Sequence, residues 1–189
     1  MPQVTKDELF SQTELNEIEV VKTKIEEFLR SVKIPTELIK LIKPGILTGG
    51  MSASLFHGDA PKDWDIYLTD QNDIDSLNKI VTETESVLNN IEDINPKYGV
   101  DTLVEGKLIT PRAITFKNGI QIITMSRADA RETFDFVHCM PYYNIKEKTY
   151  HISRRQYESI KAKKLIHNPK SPQPVTYRRE KFLNRGWHD

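Results

Sequence analysis

Apolar residues recur at three- and four-residue spacing from Leu15 through Ile18, Val21, Ile25, Phe28 and Leu29 to Val32, the period of a helix that buries one stripe. Ser11-Gln12-Thr13-Glu14, just upstream, reads as a capping box, in which each side chain satisfies a free backbone amide. Pro35 ends this helix, and Thr36 to Lys43 predicts a second, short one stopped by Pro44-Gly45. The pattern then shortens. Gly45 to Thr48 is an apolar strand and Asp63 to Leu68 a second one. Asp73 to Ile91 predicts a helix with Ile74, Leu77, Ile80, Val81, Val87, Leu88 and Ile91 apolar. Tyr98 to Val104 alternates weakly as a strand. Arg112 to Phe116 and Ile120 to Met125 flank Asn118-Gly119, a strong signal for a tight hairpin. Ala128 to Thr133 predicts helical turns leading into a strand over Phe134 to Met140, and Thr149 to Ile152 a last strand. Arg154 to His167 predicts a helix, Pro169 to Pro174 a proline-rich linker, and Thr176 to Arg185 a final short helix.

This order predicts an α/β (α+β) fold, a mixed sheet with helices packed on one face. The 189 residues, 38% of them apolar, suit one domain with a sizeable core. Within it, residues 1–44 are N-terminal helices, 45–153 the sheet core and 154–189 basic C-terminal helices. No apolar run approaches the length of a membrane span, and the first residues lack the pattern of a signal peptide. The single cysteine, Cys139, excludes an internal disulfide. These features predict a cytoplasmic protein, or one in a host cytoplasm if virus-encoded, with no membrane partner.

The net charge is zero, but the charges are segregated. From Asp63 to Glu105 there are eleven acidic residues against two basic ones, Lys79 and Lys97; from Arg154 to Arg185 there are ten Lys or Arg against two Glu. A basic C-terminal segment suits a phosphate-bearing partner, a nucleotide or RNA. Arg178, Lys181 and Arg185 recur at three and four residues, so a helix sets them on one face able to contact phosphates.

The chemistry concentrates between Leu47 and Leu68. Gly49-Gly50 closes a strand, and the next strand opens with carboxylates on alternate residues, Asp63 and Asp65, which therefore share a face. Two such carboxylates suit divalent cations. The glycines let the backbone approach a phosphate, with Ser52 just beyond them as a further phosphate contact. Aspartate is unfavourable in strands, which favours a role in chemistry. Metal beside a phosphate site suggests phosphoryl or nucleotidyl transfer. Asp135, between Phe134 and Phe136, is costly on a core strand unless it is paired or metal-bound, and an arginine such as Arg112 is the structural alternative. Asp101 is a competing acid in a less apolar setting.

Gly49-Gly50, twelve intervening residues, then Asp63-Trp64-Asp65-Ile66 resembles the signature of polymerase-beta-like nucleotidyltransferases. Trp64 is large for the middle position. Phe134-Asp135-Phe136-Val137 supplies the third carboxylate that this superfamily needs on a later strand, and the resemblance spans roughly residues 45–140. It implies two magnesium or manganese ions, held by Asp63 and Asp65, with Asp135 binding the one nearest the acceptor. It also implies NTP as substrate, with Gly49, Gly50 and Ser52 on the phosphates. A nucleoside monophosphate would pass to an acceptor, an RNA 3′ end slightly favoured over a protein, with pyrophosphate released. The tail from Arg178 to Trp187 also resembles that of nucleotidyltransferase-like proteins of phages, large viruses and protists. The alternatives are a catalytically silent binding or virion-associated module, and a toxin-type nucleotidyltransferase of a two-component system. Tyr142, Tyr143 and Trp187 could stack on a base but are more often filler, and His138 and Cys139 are structural because no zinc pattern surrounds them.

Overall fold

Ser11 starts the first helix as its capping box requires. The Glu14 amide donates to Ser11 Oγ at 3.1 Å and the Ser11 amide to Glu14 Oε1 at 2.8 Å. The computed structural model describes residues 3–4, 9–34, 36–83, 91–94, 102–104, 107–109, 113–116, 119–124, 127–172 and 176–189. Helix α1 (Gln12–Ser31) is followed by α2 (Thr36–Ile42), strand β2 (Ile46–Thr48), α3 (Met51–Phe56), β3 (Trp64–Tyr67) and α4 (Gln71–Glu83). A two-residue strand, β1 (Gln3–Val4), precedes them. Beyond α4 come β4 (Ile91–Ile94), a separate pair β5 (Thr102–Val104) and β6 (Lys107–Ile109), and the hairpin β7 (Ala113–Phe116) and β8 (Ile120–Ile123). Strands β9 (Tyr142–Asn144) and β10 (Thr149–Ile152) and helices α5 (Arg154–Ala162) and α6 (Thr176–Asn184) complete the order.

The fold is mixed α/β, as expected. Eight strands form one sheet in the order β1-β10-β9-β2-β3-β8-β7-β4. The β1/β10 and β3/β8 pairs are parallel and the rest antiparallel. The predicted hairpin is present. Gly119 holds φ +89°, and its amide bonds to the Phe116 carbonyl at 3.1 Å; Asn118, Arg112 and Asp101 lie outside the described residues.

One sheet face packs on α1. Leu47, Ile66 and Ile122 stand in register across β2, β3 and β8 and are buried, as is Tyr143 beside Leu47. Tyr143 donates its hydroxyl to Glu26 of α1 at 2.9 Å. Trp64 stacks flat on Phe28 of α1, with centroids 3.8 Å apart. That contact explains so large a residue between two aspartates: alternation turns Trp64 into the helix layer while Asp65 faces the other way. Ile18, Val21 and Ile25 of α1 complete this layer, each buried side chain stabilising by about 1.5–3 kcal/mol.

Three expectations are corrected. Ile91 begins strand β4 instead of ending a helix. Phe134 to Met140 is not a strand of the sheet: a 3₁₀ helix (Ala128–Thr133) precedes it, Val137–Cys139 forms a second, and only a single bridge joins Phe136 to His167. The pairing partner is the chain after α5, through Val137 N to Ile166 O at 3.0 Å and Asn168 N to Asp135 O at 2.8 Å. That helix stops at Ala162 rather than His167, because Lys163 turns left-handed at φ +50° and residues 164–168 run extended between Phe136 and the C-terminus.

Candidate functional site

Alternation along β3 sets Trp64 and Ile66 inward and Asp65 and Tyr67 on the opposite face, while Asp63 is exposed and lies one residue before the strand begins. Asp65 lies directly under the Gly49 turn. Gly49 holds φ +97°, and a Cβ there would sit 3.1 Å from Asp65 Oδ2. Only glycine combines that backbone with that approach. Gly50 differs: it is right-handed, and a Cβ there would meet nothing within 4 Å. The two glycines thus leave open space next to a carboxylate. The Gly49 amide is not offered outward, since it donates to the Cys139 carbonyl at 3.1 Å.

In register, Asp65 sits between Thr48 of β2 and Gln121 of β8. Both neighbours are uncharged and buried. Thr48 donates to the carbonyls of Cys139 and Pro141 at 3.3 and 3.0 Å, which ties the Gly49 turn to the 3₁₀ segment. Sequence reasoning missed both residues. The Asn118-Gly119 hairpin fixes Gln121 opposite Thr115, but its place beside Asp65 depends on parallel pairing of β3 with β8, which leaves no local signal.

Asp135 is engaged elsewhere. Arg178 of α6 donates Nε to its Oδ2 at 2.5 Å and a second guanidinium nitrogen to Oδ1 at 3.5 Å, and the Phe136 amide donates to Oδ1 at 2.9 Å. The side chains are 9% and 26% exposed. Burial of this aspartate is therefore compensated by an arginine, the structural alternative, with Arg178 as the partner. Arg178 is correspondingly not a phosphate contact in this arrangement. The rest of its predicted face is modest: Lys181 lies over the Phe182 ring at 5.8 Å and Arg185 is exposed. Arg179 pairs with the terminal Asp189.

Ser52 is also corrected. It is fully buried, and its Oγ accepts the Tyr150 hydroxyl at 2.8 Å, so α3 turns it into the core rather than toward a phosphate. Tyr143 and Trp187 are core residues. Cys139 is buried near Arg178, Asp135, Lys181 and Asp65, and its thiol is pushed up to about 12, chiefly by burial. His138 is fully buried, stacks on Trp187 at 4.1 Å and, among the described residues, has no hydrogen-bond partner on either ring nitrogen. Burial holds its pKa down to about 3.

This donor set fits one divalent cation better than two. Asp63 and Asp65 suit a hydrated ion that completes its shell with water and phosphate oxygens. A second ion fits poorly, because Asp135 is already neutralised and the positions flanking Asp65 are Thr48 and Gln121. Among the described residues, no three His, Cys, Asp or Glu side chains are grouped to hold a metal.

Residues 19–163 match the model of the Gabija anti-defense 2 family protein, Gad2. No curated protein matches the chain. The match overturns the resemblance to polymerase-beta-like nucleotidyltransferases as a family assignment, and the geometry gives the physical reason: the third carboxylate that carried that resemblance stands off the sheet, paired with Arg178. The matched span contains the Gly49 turn, Asp63, Asp65 and Asp135 but stops short of α6 and Arg178.

Proposed function

The chain belongs to the Gabija anti-defense 2 family, and from that premise we propose that it acts against that defense through a nucleotide. It binds a magnesium- or manganese-loaded NTP at the Gly49–Gly50 turn and transfers the nucleoside monophosphate to an acceptor. The acceptor hydroxyl attacks the α-phosphorus and releases its proton to solvent, the bond to the bridging α–β oxygen breaks, and pyrophosphate leaves with that oxygen. The observation that carries this reading is the close approach of Asp65 to the Gly49 turn, with open space at Gly50. A divalent ion bound there would supply charge neutralisation for the triphosphate and the leaving pyrophosphate. Asp65, half-buried on a rigid strand, fixes where that charge sits; Asp63, at the surface, meets the incoming nucleotide. Gly50 leaves room for the phosphates. The basic C-terminal helices support RNA over protein as acceptor, weakly, since Arg178 is committed to Asp135.

A second reading, a binding module that holds the nucleotide or sequesters a partner without turnover, is favoured by that same ion pair, which leaves the site one carboxylate short. One experiment separates them. The full chain is incubated with each α-labelled NTP, magnesium or manganese, and pools of RNA and protein, beside an Asp63→Asn/Asp65→Asn control. Label entering RNA or protein with the wild type alone supports transfer. Metal-dependent NTP binding without label transfer supports the binding module. Absence of both overturns the nucleotide reading.

A further inference from the structure

His138 lies at the middle of the second 3₁₀ helix, enclosed by rings. It is fully buried, and among the described residues neither of its ring nitrogens has a hydrogen-bond partner. Trp187 stacks on it at 4.1 Å, Phe182 meets it edge-on at 4.6 Å, and Phe136 of its own segment lies at 5.9 Å. His138 and Phe136 fall within residues 19–163, the span that matches the family, whereas Phe182 and Trp187 come from beyond it.

Those two rings belong to a C-terminal clasp, α6 and the residues after it, which is fastened at both ends. Arg178 pairs with Asp135. At the other end the His188 amide donates to the Lys163 carbonyl at 2.9 Å, and the Leu165 amide donates to the His188 carbonyl at 2.7 Å. Between these ends, the clasp covers His138 with aromatic surface alone. A neutral imidazole sits in such a box as a flat ring. An imidazolium carries a charge and two N–H donors, and among the described residues the box supplies no acceptor for either. Stacking on Trp187 offers the cation one favourable face, which does not replace the water it has lost.

The charged groups nearby do not reverse this. Asp135 favours the proton, but Arg178 neutralises Asp135 and itself opposes the proton. Lys181 adds a further positive charge on α6, and the Cys139 thiol, pushed up to about 12, is uncharged. His57 of the α3 end stands against Trp187 and His167 against Phe136. On α5, Lys161 and Tyr157 are turned to Glu17 of α1.

We propose that the clasp is proton-sensitive: protonation of His138 releases α6 and the C-terminal residues from the 3₁₀ segment that holds the Gly49 turn. In the closed form burial holds the ring at about 3, and in the open form it meets water and regains its ordinary 6.5. Opening therefore takes up a proton, so the clasp is closed at pH 7 and opens increasingly as pH falls below about 6.5. The switch needs no ligand and stands apart from the nucleotide reading.

Cys139 is a native reporter of opening. It is the chain's single cysteine, it is buried, and a guanidinium nitrogen of Arg178 lies 4.0 Å from its sulfur. The full chain is labelled with 4,4′-dithiodipyridine, which reacts with thiols in acid, and each rate is divided by that of the urea-unfolded chain at the same pH. From pH 7 to pH 5 the normalised rate should rise about 25-fold, the ratio that the closed and open pKa values set. His138→Phe keeps a ring in the box and should hold the rate constant over that range. Low urea should leave the wild-type rate nearly unchanged, because clasp opening exposes far less surface than global unfolding. A flat wild-type profile, or an undiminished rise in His138→Phe, overturns the proposal. So does a wild-type rate that climbs with urea as steeply as global unfolding, which would assign the proton to the whole fold instead of the clasp.

Discussion

Gly49 and Gly50 are adjacent in sequence and opposite in what they tolerate, which makes alanine at each a sharp test of the site. At Gly49, φ of +97° is strained for an L-residue, and the new Cβ would meet Asp65 Oδ2 at 3.1 Å. The backbone term costs about 1–2 kcal/mol, and the carboxylate must also give way by a few tenths of an ångström. Reduced freedom of the unfolded chain returns about 0.4–1 kcal/mol. The backbone terms leave up to about 1.6 kcal/mol and the displaced carboxylate adds to it, so a net loss of about 2 kcal/mol lowers Tm by about 4–8 °C in a domain of this size. At Gly50 the backbone is already right-handed at φ −71° and ψ −10°, with nothing within 4 Å of a Cβ, so Gly50→Ala should move Tm by no more than about 2 °C. Ligand binding should separate the two differently. Both variants should weaken magnesium-dependent NTP binding, Gly49→Ala by displacing Asp65 and Gly50→Ala by filling the open space. Thermal unfolding by circular dichroism, paired with NTP titration, reads both. Equal Tm losses in the two variants would refute the geometry of the turn, and normal NTP binding by Gly50→Ala would refute the phosphate site.

Arg178→Ala should cost about 2–4 kcal/mol in urea unfolding, because it strands Asp135 at 9% exposure. Adding Asp135→Asn should recover part of that loss, so additive single and double mutants would show that the pair does not couple. His138 supplies an acid sensitivity. Its folded pKa, about 3, lies below the ordinary 6.5, so the unfolded chain binds the proton first. The stability it contributes is complete above about 6.5 and is lost as pH falls toward 3, about 2 kcal/mol of it by pH 5. His138→Phe keeps the stack on Trp187 and removes the titration. Its Tm should fall less than the wild type's between pH 7 and pH 5, and parallel curves would exclude His138 as the source.

Features written in neighbouring residues were legible, and features written across the fold were not. The capping box at Ser11–Glu14 and the hairpin at Gly119 each depend on a few consecutive positions, and the structure places both as expected. The apolar run Phe134–Met140 misled because a short buried segment reads alike whether it pairs in a sheet or coils under a helix. Ser52 misled for a related reason: its hydroxyl is claimed by Tyr150, 98 residues away. The cost of burying Asp135 was legible; its partner, 43 residues on, was not.

The Asp135–Arg178 pair bears most directly on what the site can do. The family match ends at residue 163, so Asp135 lies inside the matched span while its partner is supplied from beyond it by α6. If Asp135 served a metal, Arg178 would compete with that metal for the same two oxygens, and α6 would have to withdraw as the nucleotide arrived. If Asp135 is structural, the pair instead docks α6 against the 3₁₀ segment, whose Cys139 carbonyl accepts the Gly49 amide and the Thr48 hydroxyl. The second arrangement uses every contact present: Arg178 holds Asp135, the 3₁₀ segment holds the Gly49 turn, and the turn sets Asp65 against open space. On that reasoning, Arg178 and Asp135 position the Gly49 turn from behind, and of the three predicted carboxylates Asp63 and Asp65 are the two left for the proposed ligand.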